Sequence, residues 1–225
     1  TAPFRWGRRP ADPVSVCYLQ IPWLLYVHYG DKYTLRKHFG GMKAWVDFLT
    51  SCAQGGIIPY SYYGDWAPPI HLGISGSQGS SAVSRDTPGE LVSTACYAFS
   101  LDLLSRIACV MEQEDECAAY AALAVQVKHA YHRRFWDEAA GGYGSNNQSC
   151  NAISLYMDMV PPECTQRVVA NLVRDVVELN ECHLTTGNIC SKYLLEALTA
   201  AGCGDVAYSI ANQETYPSWG YMLAN

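Results

Sequence analysis

The fold of this chain is decided by residues 87–111, which spell TPGELVSTACYAFSLDLLSRIACVM. Thr87 can cap a helix, Pro88 suits its first turn, and Glu90 completes a capping box with Thr87. From Leu91 onward apolar residues occupy more than one side of the predicted helix, which therefore lacks a single apolar stripe. The segment predicts an inner helix, running to about Met111, that other helices surround.

Seven further helices are predicted on either side of this segment. Each combines helical spacing of apolar residues with start or stop signals such as the glycine after the first helix, Gly30. Almost no stretch alternates between polar and apolar residues as a strand would. The predicted ranges are 16–29, 33–52, 114–135, 148–158, 161–180, 189–201 and 205–212.

These eight helices predict an all-α fold. Antiparallel helical hairpins in series form either a solenoid or a closed α/α toroid. Because several helices are apolar on more than one face, an inner ring of buried helices is favoured. Eight helices are fewer than six hairpins require, so we expect an incomplete (α/α)6 six-hairpin barrel. We treat residues 1–225 as one partial α/α-barrel domain, with the N-terminal and C-terminal parts of the barrel missing.

Composition excludes several classes of partner. The chain has 225 residues, of which 49% are hydrophobic, and a net charge of −6. No basic stripe is present to neutralise phosphates, so we expect no nucleic acid. No apolar run reaches the length of a membrane span, so we expect no membrane partner.

Ten cysteines occur without a C-x-x-C motif or paired metal-ligand spacing. We therefore expect no metal and no other cofactor. Several cysteines, including Cys96, Cys109, Cys117 and Cys190, fall within apolar helical patterns, where cysteine behaves as a small core residue. Free thiols are favoured over disulfides. Localisation stays unknown, with the cytoplasm slightly favoured by unpaired cysteines and the lack of a visible signal peptide.

The longest irregular segment, 54–87, contains the first candidate site. Asp65 and Trp66 follow a glycine and precede two prolines, so a carboxylate and an indole share one loop. Such a pair can bind a sugar, since pyranose C–H faces stack on aromatic rings while carboxylates accept from hydroxyls. The alternative is structural: Trp66 covers the core and Asp65 caps a turn.

Two further segments offer polar and aromatic side chains. His183 stands in a loop before a predicted helix, where backbone N–H groups and the hydroxyls of Thr185 and Thr186 can meet a ligand oxygen. Alternatively, His183 is structural and the threonines are N-caps. Residues 213–221 form a predicted aromatic loop suited to a sugar, although Tyr216 and Trp219 are also explained as core residues.

The chain resembles the bacterial α-L-rhamnosidases of glycoside hydrolase family 78. The resemblance covers essentially the whole chain, because seven motifs occur in the family's order with similar spacings. They are IPW at 21–23, YGD at 29–31, MKAWVD at 42–47, GDW at 64–66, TPGELV at 87–92, HLTTG at 183–187 and ETYPSWGY at 214–221.

The resemblance implies a six-hairpin barrel that hydrolyses terminal α-L-rhamnosides with inversion, acting on a rhamnose-containing glycoside or oligosaccharide. Inversion needs a general acid and a general base about 6.5–9.5 Å apart. The family's motifs for both would fall outside residues 1–225, so we assign no catalytic residue within the chain. Asp65, Trp66, His183 and Trp219 are the expected substrate-binding residues.

One departure from the family leaves other readings open. Family members carry a Trp-Gly-Asp-like triplet where this chain has Val14, Ser15 and Val16, so one sugar-stacking tryptophan is absent. A carbohydrate-binding pseudoenzyme, another α/α-barrel glycosidase and a purely structural toroid are the alternatives.

Overall fold

A computed structural model describes residues 12–69 and 84–225, and over these ranges the protein is all-α, as predicted. Nine α-helices are present in the described ranges, with one short hairpin of strands β1, Trp136–Asp137, and β2, Gly142–Tyr143. The helices are α1 Cys17–Tyr29, α2 Lys32–Cys52, α3 Gly89–Val110, α4 Glu114–Phe135, α5 Gln148–Tyr156, α6 Pro162–Arg174, α7 Cys190–Ala200, α8 Gly204–Ala211 and α9 Trp219–Ala224.

The ninth helix, α9, corrects the prediction that residues 213–221 form a loop throughout. Ser218 is the N-cap, and its side chain accepts a hydrogen bond from the backbone N–H of Tyr221 at 3.0 Å. A helix of six residues is too short to show helical periodicity in the sequence. The other eight helices are confirmed, with ends that differ by a few residues.

The end of α6 also differs from the prediction of one helix over 161–180. The α-helix stops at Arg174, and a π-helical turn, Asp175–Leu179, continues it. The side-chain amide of Asn180 donates to the backbone oxygen and to Oδ1 of Asp175, at 3.0 and 2.9 Å. Burial raises the pKa of Asp175, while hydrogen bonds from Gln148 and Asn180 lower it. The turn thus holds a buried carboxyl group.

The described residues form two compact units. The first contains 12–61 with Ser93–Arg134, and the second contains 62–69, 84–92 and Phe135–Asn225. In the second unit α5 packs against α6 and α7, and α7 packs against α8. The prediction of a single partial domain over 1–225 stays a prediction. The core of the second unit is built from Ala152, Leu172, Val176, Leu184, Leu194, Ala197, Leu198, Ala207 and Ile210.

Helix α3 is buried, as its sequence predicts. Contrary to the expectation from sequence, Gly89–Val110 is long and apolar enough to cross a membrane by length and composition. However, 83% of its apolar window is buried inside the structure, which is how the core helix of a globular domain behaves.

One pair of cysteines corrects the expectation of free thiols. Cys109 near the end of α3 and Cys117 in the first turn of α4 form a disulfide, with Cα atoms 5.2 Å apart. The two residues meet because α3 and α4 are joined by a short connection, and this proximity is not visible in cysteine spacing alone. The other eight cysteines are free.

Candidate sugar-binding loops

Asp65 lies in the second unit and is completely buried. Its Oδ2 accepts hydrogen bonds from the Ser149 hydroxyl at 2.5 Å and the Gly187 N–H at 2.7 Å, and its Oδ1 accepts from the Cys190 N–H at 2.9 Å. The carboxylate therefore caps the start of α7 from a distant loop. This geometry matches the structural alternative for Asp65, and direct contact with a sugar hydroxyl stays a prediction.

The start of α7 also bears on the N-cap role suggested for Thr185 and Thr186. The N-cap position is Ile189, which has no side-chain cap, so the alternative that Thr185 or Thr186 is the N-cap of this helix does not hold. The Thr186 hydroxyl instead pairs with the Ser191 hydroxyl at 2.8 Å. Asp65 satisfies the helix N–H groups that a threonine would otherwise take.

Gly187 is the point of closest approach between the two loops. A Cβ atom added there would lie 2.4 Å from the backbone oxygen of Trp66 and 2.7 Å from Oδ1 of Asp65. One residue further on, the N–H of Asn188 donates to the backbone oxygen of Trp66 at 2.7 Å. The loop of Trp66 is thus fixed to the start of α7 by backbone as well as side-chain contacts.

Trp66 keeps part of its indole exposed on this fixed loop. Its ring packs edge-on against Tyr63, with ring centroids 5.0 Å apart. A partly exposed indole on a rigid backbone is suited to stacking against the C–H face of a sugar.

His183 is half-buried and links two loops of the second unit. Its Nδ1 lies 2.9 Å from the backbone oxygen of Asn180, and its Nε2 lies 2.8 Å from the hydroxyl of Thr215. Because a carbonyl oxygen only accepts, Nδ1 carries a proton. In the neutral ring Nε2 then carries no proton, and it is the nitrogen that faces the Thr215 hydroxyl, which also lies 3.0 Å from Oε1 of Gln213.

Two residues that sequence analysis missed hold these loops from the first turn of α5. Ser149 donates to Asp65, as described above. Gln148 bonds to the His183 loop at two points: its Oε1 accepts from the Thr185 N–H at 3.1 Å, and its Nε2 donates to the His183 oxygen at 3.1 Å. In the sequence these residues begin a predicted helix, and nothing local indicates partners 35 and 84 residues away.

Trp219 begins α9 and is half-buried. It packs against the apolar core of the second unit, which includes Leu184. This contact matches the alternative that Trp219 is a core residue, and its predicted role in sugar binding stays a prediction. Nearby, Tyr216 and Tyr221 pack edge-on with centroids 5.2 Å apart.

Hydrogen bonds thus connect three of the four predicted site residues to neighbouring segments of the second unit. Asp65 and Trp66 contact the segment 187–190, and His183 contacts the loop before α9. In the ranges 12–69 and 84–225 there is no group of three or more His, Cys, Asp or Glu side chains that could hold a metal ion.

A cleft of about 410 Å³ occurs elsewhere, in the first unit. The end of α2, Gly55 and Gly56 form one part of it, and residues of α4 that include His129 and Arg133 form another. None of the four predicted site residues lines this cleft.

Helical hairpins in series, with carboxylate, indole and imidazole side chains on the loops that connect them, define an all-α, helical-hairpin class of protein. The chain belongs to the family of the bacterial α-L-rhamnosidase six-hairpin glycosidase domain, whose model matches residues 15–225. This match runs through both compact units.

The curated relatives that match this chain are α-L-rhamnosidases. The chain is 31% identical over 203 residues to an α-L-rhamnosidase of Streptomyces avermitilis, covering 90% of this chain and 18% of the relative. It is 28% identical over 206 residues to an α-L-rhamnosidase of Alteromonas sp., covering 91% of this chain and 22% of the relative. The chain therefore spans about a fifth of the length of these relatives.

Solved structures are similar in fold. The α-L-rhamnosidase from Dictyoglumus thermophilum superposes with a TM-score of 0.88 at 35% identity, over 97% of this chain and 24% of that one. The Streptomyces avermitilis α-L-rhamnosidase complexed with L-rhamnose superposes with a TM-score of 0.80 at 29% identity, over 93% of this chain and 19% of that one.

Proposed function

We propose that this chain is part of a longer protein that hydrolyses terminal α-L-rhamnosides. The observation that supports this most is the family match over residues 15–225, together with relatives that are α-L-rhamnosidases. One similar structure contains L-rhamnose, which supports a rhamnose-containing glycoside or oligosaccharide as the substrate.

Within the chain, we propose that the loops of Trp66, His183 and Trp219 contact the sugar. The indole of Trp66 would stack on the ring, and Nε2 of His183 would accept from a sugar hydroxyl in place of Thr215. Asp65 would serve the same site by fixing the Trp66 loop, since its carboxylate already accepts three hydrogen bonds.

The chemistry we propose is inversion at the anomeric carbon. One carboxylic acid protonates the glycosidic oxygen, and a carboxylate on the opposite face of the ring activates water, with about 6.5–9.5 Å between the two groups. We propose that both groups lie outside residues 1–225. Two buried carboxyl groups of the second unit, Asp65 and Asp175, are engaged in hydrogen bonds, and we assign neither of them an acid or base role.

The test compares two proteins on an aryl α-L-rhamnoside. The longer protein should release rhamnose whose first-formed anomer is β, as inversion requires, in a ¹H NMR time course. The 225-residue chain alone should show no hydrolysis, because each missing acid or base contributes about 10²–10⁴ to the rate. Turnover by the chain alone, or first release of the α anomer, would refute this mechanism.

A carbohydrate-binding pseudoenzyme is the second candidate, and the segment before α1 favours it. Ser15 and Val16 are each only 4% exposed, and the Ser15 hydroxyl donates to the backbone oxygen of Asp12 at 2.8 Å. Among residues 12–16, the described part of this segment, no side chain can stack on a sugar as a tryptophan would. Rhamnose binding without any turnover by the longer protein would select this candidate.

A further inference from the structure

We infer that Gln148 is a positioning residue that sets the orientation of His183. The inference rests on the proposed function, in which His183 contacts the sugar. Gln148 is the first residue of α5 and is completely buried. No motif of the sequence singles it out.

The first step of the argument is the paired hydrogen bond between Gln148 and the His183 loop. Its carboxamide accepts from the N–H of Thr185 and donates to the oxygen of His183, both at 3.1 Å. A carboxamide offers one acceptor and one donor side by side, as a neighbouring strand would. It therefore fixes the backbone on both sides of Leu184 and with it the direction of the His183 side chain.

The second step concerns which way the carboxamide points. A backbone N–H only donates and a carbonyl oxygen only accepts, so Oε1 of Gln148 faces Thr185 and Nε2 faces the His183 oxygen. Asn180, whose backbone oxygen contacts His183, is itself fixed by its side-chain amide, which donates to Oδ1 of Asp175 at 2.9 Å.

The third step concerns the contacts of the His183 imidazole ring. The backbone oxygen of Asn180 accepts from Nδ1 of His183, so Gln148 and Asn180 fix the histidine from its main chain and from its ring. On the other side of the ring, Nε2 lies 2.8 Å from the Thr215 hydroxyl, which is also 3.0 Å from Oε1 of Gln213. Loss of the Gln148 contacts should let the loop relax and the ring rotate or change tautomer.

The test is a double-mutant cycle in the longer protein, measured as KM and kcat for an aryl α-L-rhamnoside. Gln148→Met keeps the side-chain length and removes both hydrogen bonds, so we expect KM to rise about tenfold with kcat little changed. Gln148→Glu keeps only the acceptor and places a carboxylate oxygen against the His183 oxygen, so its KM should rise at least as much. In a His183→Ala background, Gln148→Met should change KM by less than about twofold, because its effect acts through His183.

Ser154→Ala is the matched control. Ser154 is buried on the same helix, and its hydroxyl donates to the Cys150 oxygen of the previous turn at 2.6 Å. We expect this variant to keep the wild-type KM. An equal effect of Gln148→Met with and without His183 would overturn the inference. A wild-type KM for His183→Ala would also overturn the inference, whereas the proposed hydrolysis of rhamnosides fails only if the unmodified longer protein shows no turnover.

A second measurement does not depend on turnover. In the longer protein labelled with ¹⁵N-histidine, the His183 side chain should show the Nδ1–H tautomer, with His183→Gln used to assign its signal. Gln148→Met should shift the signal toward a mixture of tautomers. An unchanged tautomer in Gln148→Met would overturn the inference, even if the longer protein proves not to hydrolyse rhamnosides.

Discussion

A single carboxylate, Asp65, organises the loops that we assign to sugar binding. It joins the first turn of α5 through Ser149 and the start of α7 through Gly187 and Cys190. Buried charges are retained in proteins when hydrogen bonds satisfy them, and this one has three donors. The consequence is that the Trp66 loop has a fixed position before any ligand arrives.

We predict that Gly187→Ala destabilises the protein by about 1–3 kcal/mol, because overpacking forces the backbone to move. The added Cβ would lie 2.4 Å from the Trp66 oxygen. Urea unfolding gives the measurement. Gly40→Ala is the control: this glycine lies within α2, and an added Cβ there has no neighbour within 4 Å. Gly40→Ala should raise the free energy of unfolding by about 0.5–1 kcal/mol, because alanine has a higher helix propensity than glycine. Equal effects of the two substitutions would contradict the close approach.

At the scale of elements, the turn after α6 makes stability depend on pH. Because burial raises the pKa of Asp175, the folded state holds this proton more tightly than the unfolded state. The resulting stabilisation is complete below the unfolded pKa of about 3.9 and is lost as pH rises toward the raised folded value. The contribution of Asp175 to the free energy of unfolding should therefore change with pH between the unfolded pKa of about 3.9 and the raised folded pKa.

We predict that Asp175→Asn abolishes this part of the pH dependence. The free energy of unfolding, measured in urea from about pH 3 to about pH 7, should fall more with rising pH in the wild type than in the variant. A difference between Asp175→Asn and wild type that stays constant with pH would mean that the carboxyl group of Asp175 has the same pKa in the folded and unfolded states.

Helices α2 and α4 of the first unit are joined by Tyr120. Its hydroxyl donates to Oδ1 of Asp47 at 2.8 Å and accepts from Nζ of Lys43 at 3.0 Å. We predict that Tyr120→Phe costs about 0.5–1.5 kcal/mol in unfolding free energy, since both partners keep access to water. Tyr208→Phe, at a side chain that is 71% exposed, should stay within about 0.5 kcal/mol of wild type. A neutral Tyr120→Phe would show that this contact is not maintained in solution.

Helical periodicity predicted most of the fold because long helices repeat their apolar positions many times. Helix α4 was predicted at its observed bounds, Glu114–Phe135, whereas α9 and the hairpin of β1 and β2 are too short for a periodic signal. The site was predictable only in part. Trp66 and His183 stand out by residue type, while Gln148 and Ser149 act through contacts that are distant in the chain.

At the scale of the whole molecule, apolar side chains on α1 remain exposed. Ile21 is 57% exposed and Val27 is 54% exposed, on a helix that is apolar all round. We predict that the 225-residue chain associates in solution, because exposed apolar patches promote contacts between molecules. Sedimentation velocity should show larger species at higher concentration. Ile21→Glu with Val27→Lys should shift the chain toward monomer, and wild-type chain that stays monomeric would contradict the prediction.

The family match covers residues of both units, so the loops of the second unit belong to a domain of the rhamnosidase family. Our central claim is that these loops contact rhamnose through Trp66. Trp136 on β1 is the matched control, because this tryptophan packs against Tyr143 with centroids 5.3 Å apart and is not among the site loops.

Calorimetric titration of the longer protein with L-rhamnose tests this claim most directly. Trp66→Ala should weaken binding by up to about tenfold, the loss expected for one aromatic stacking contact, while Trp136→Phe keeps the wild-type affinity. A Trp66→Ala protein that binds L-rhamnose as tightly as Trp136→Phe would contradict the account.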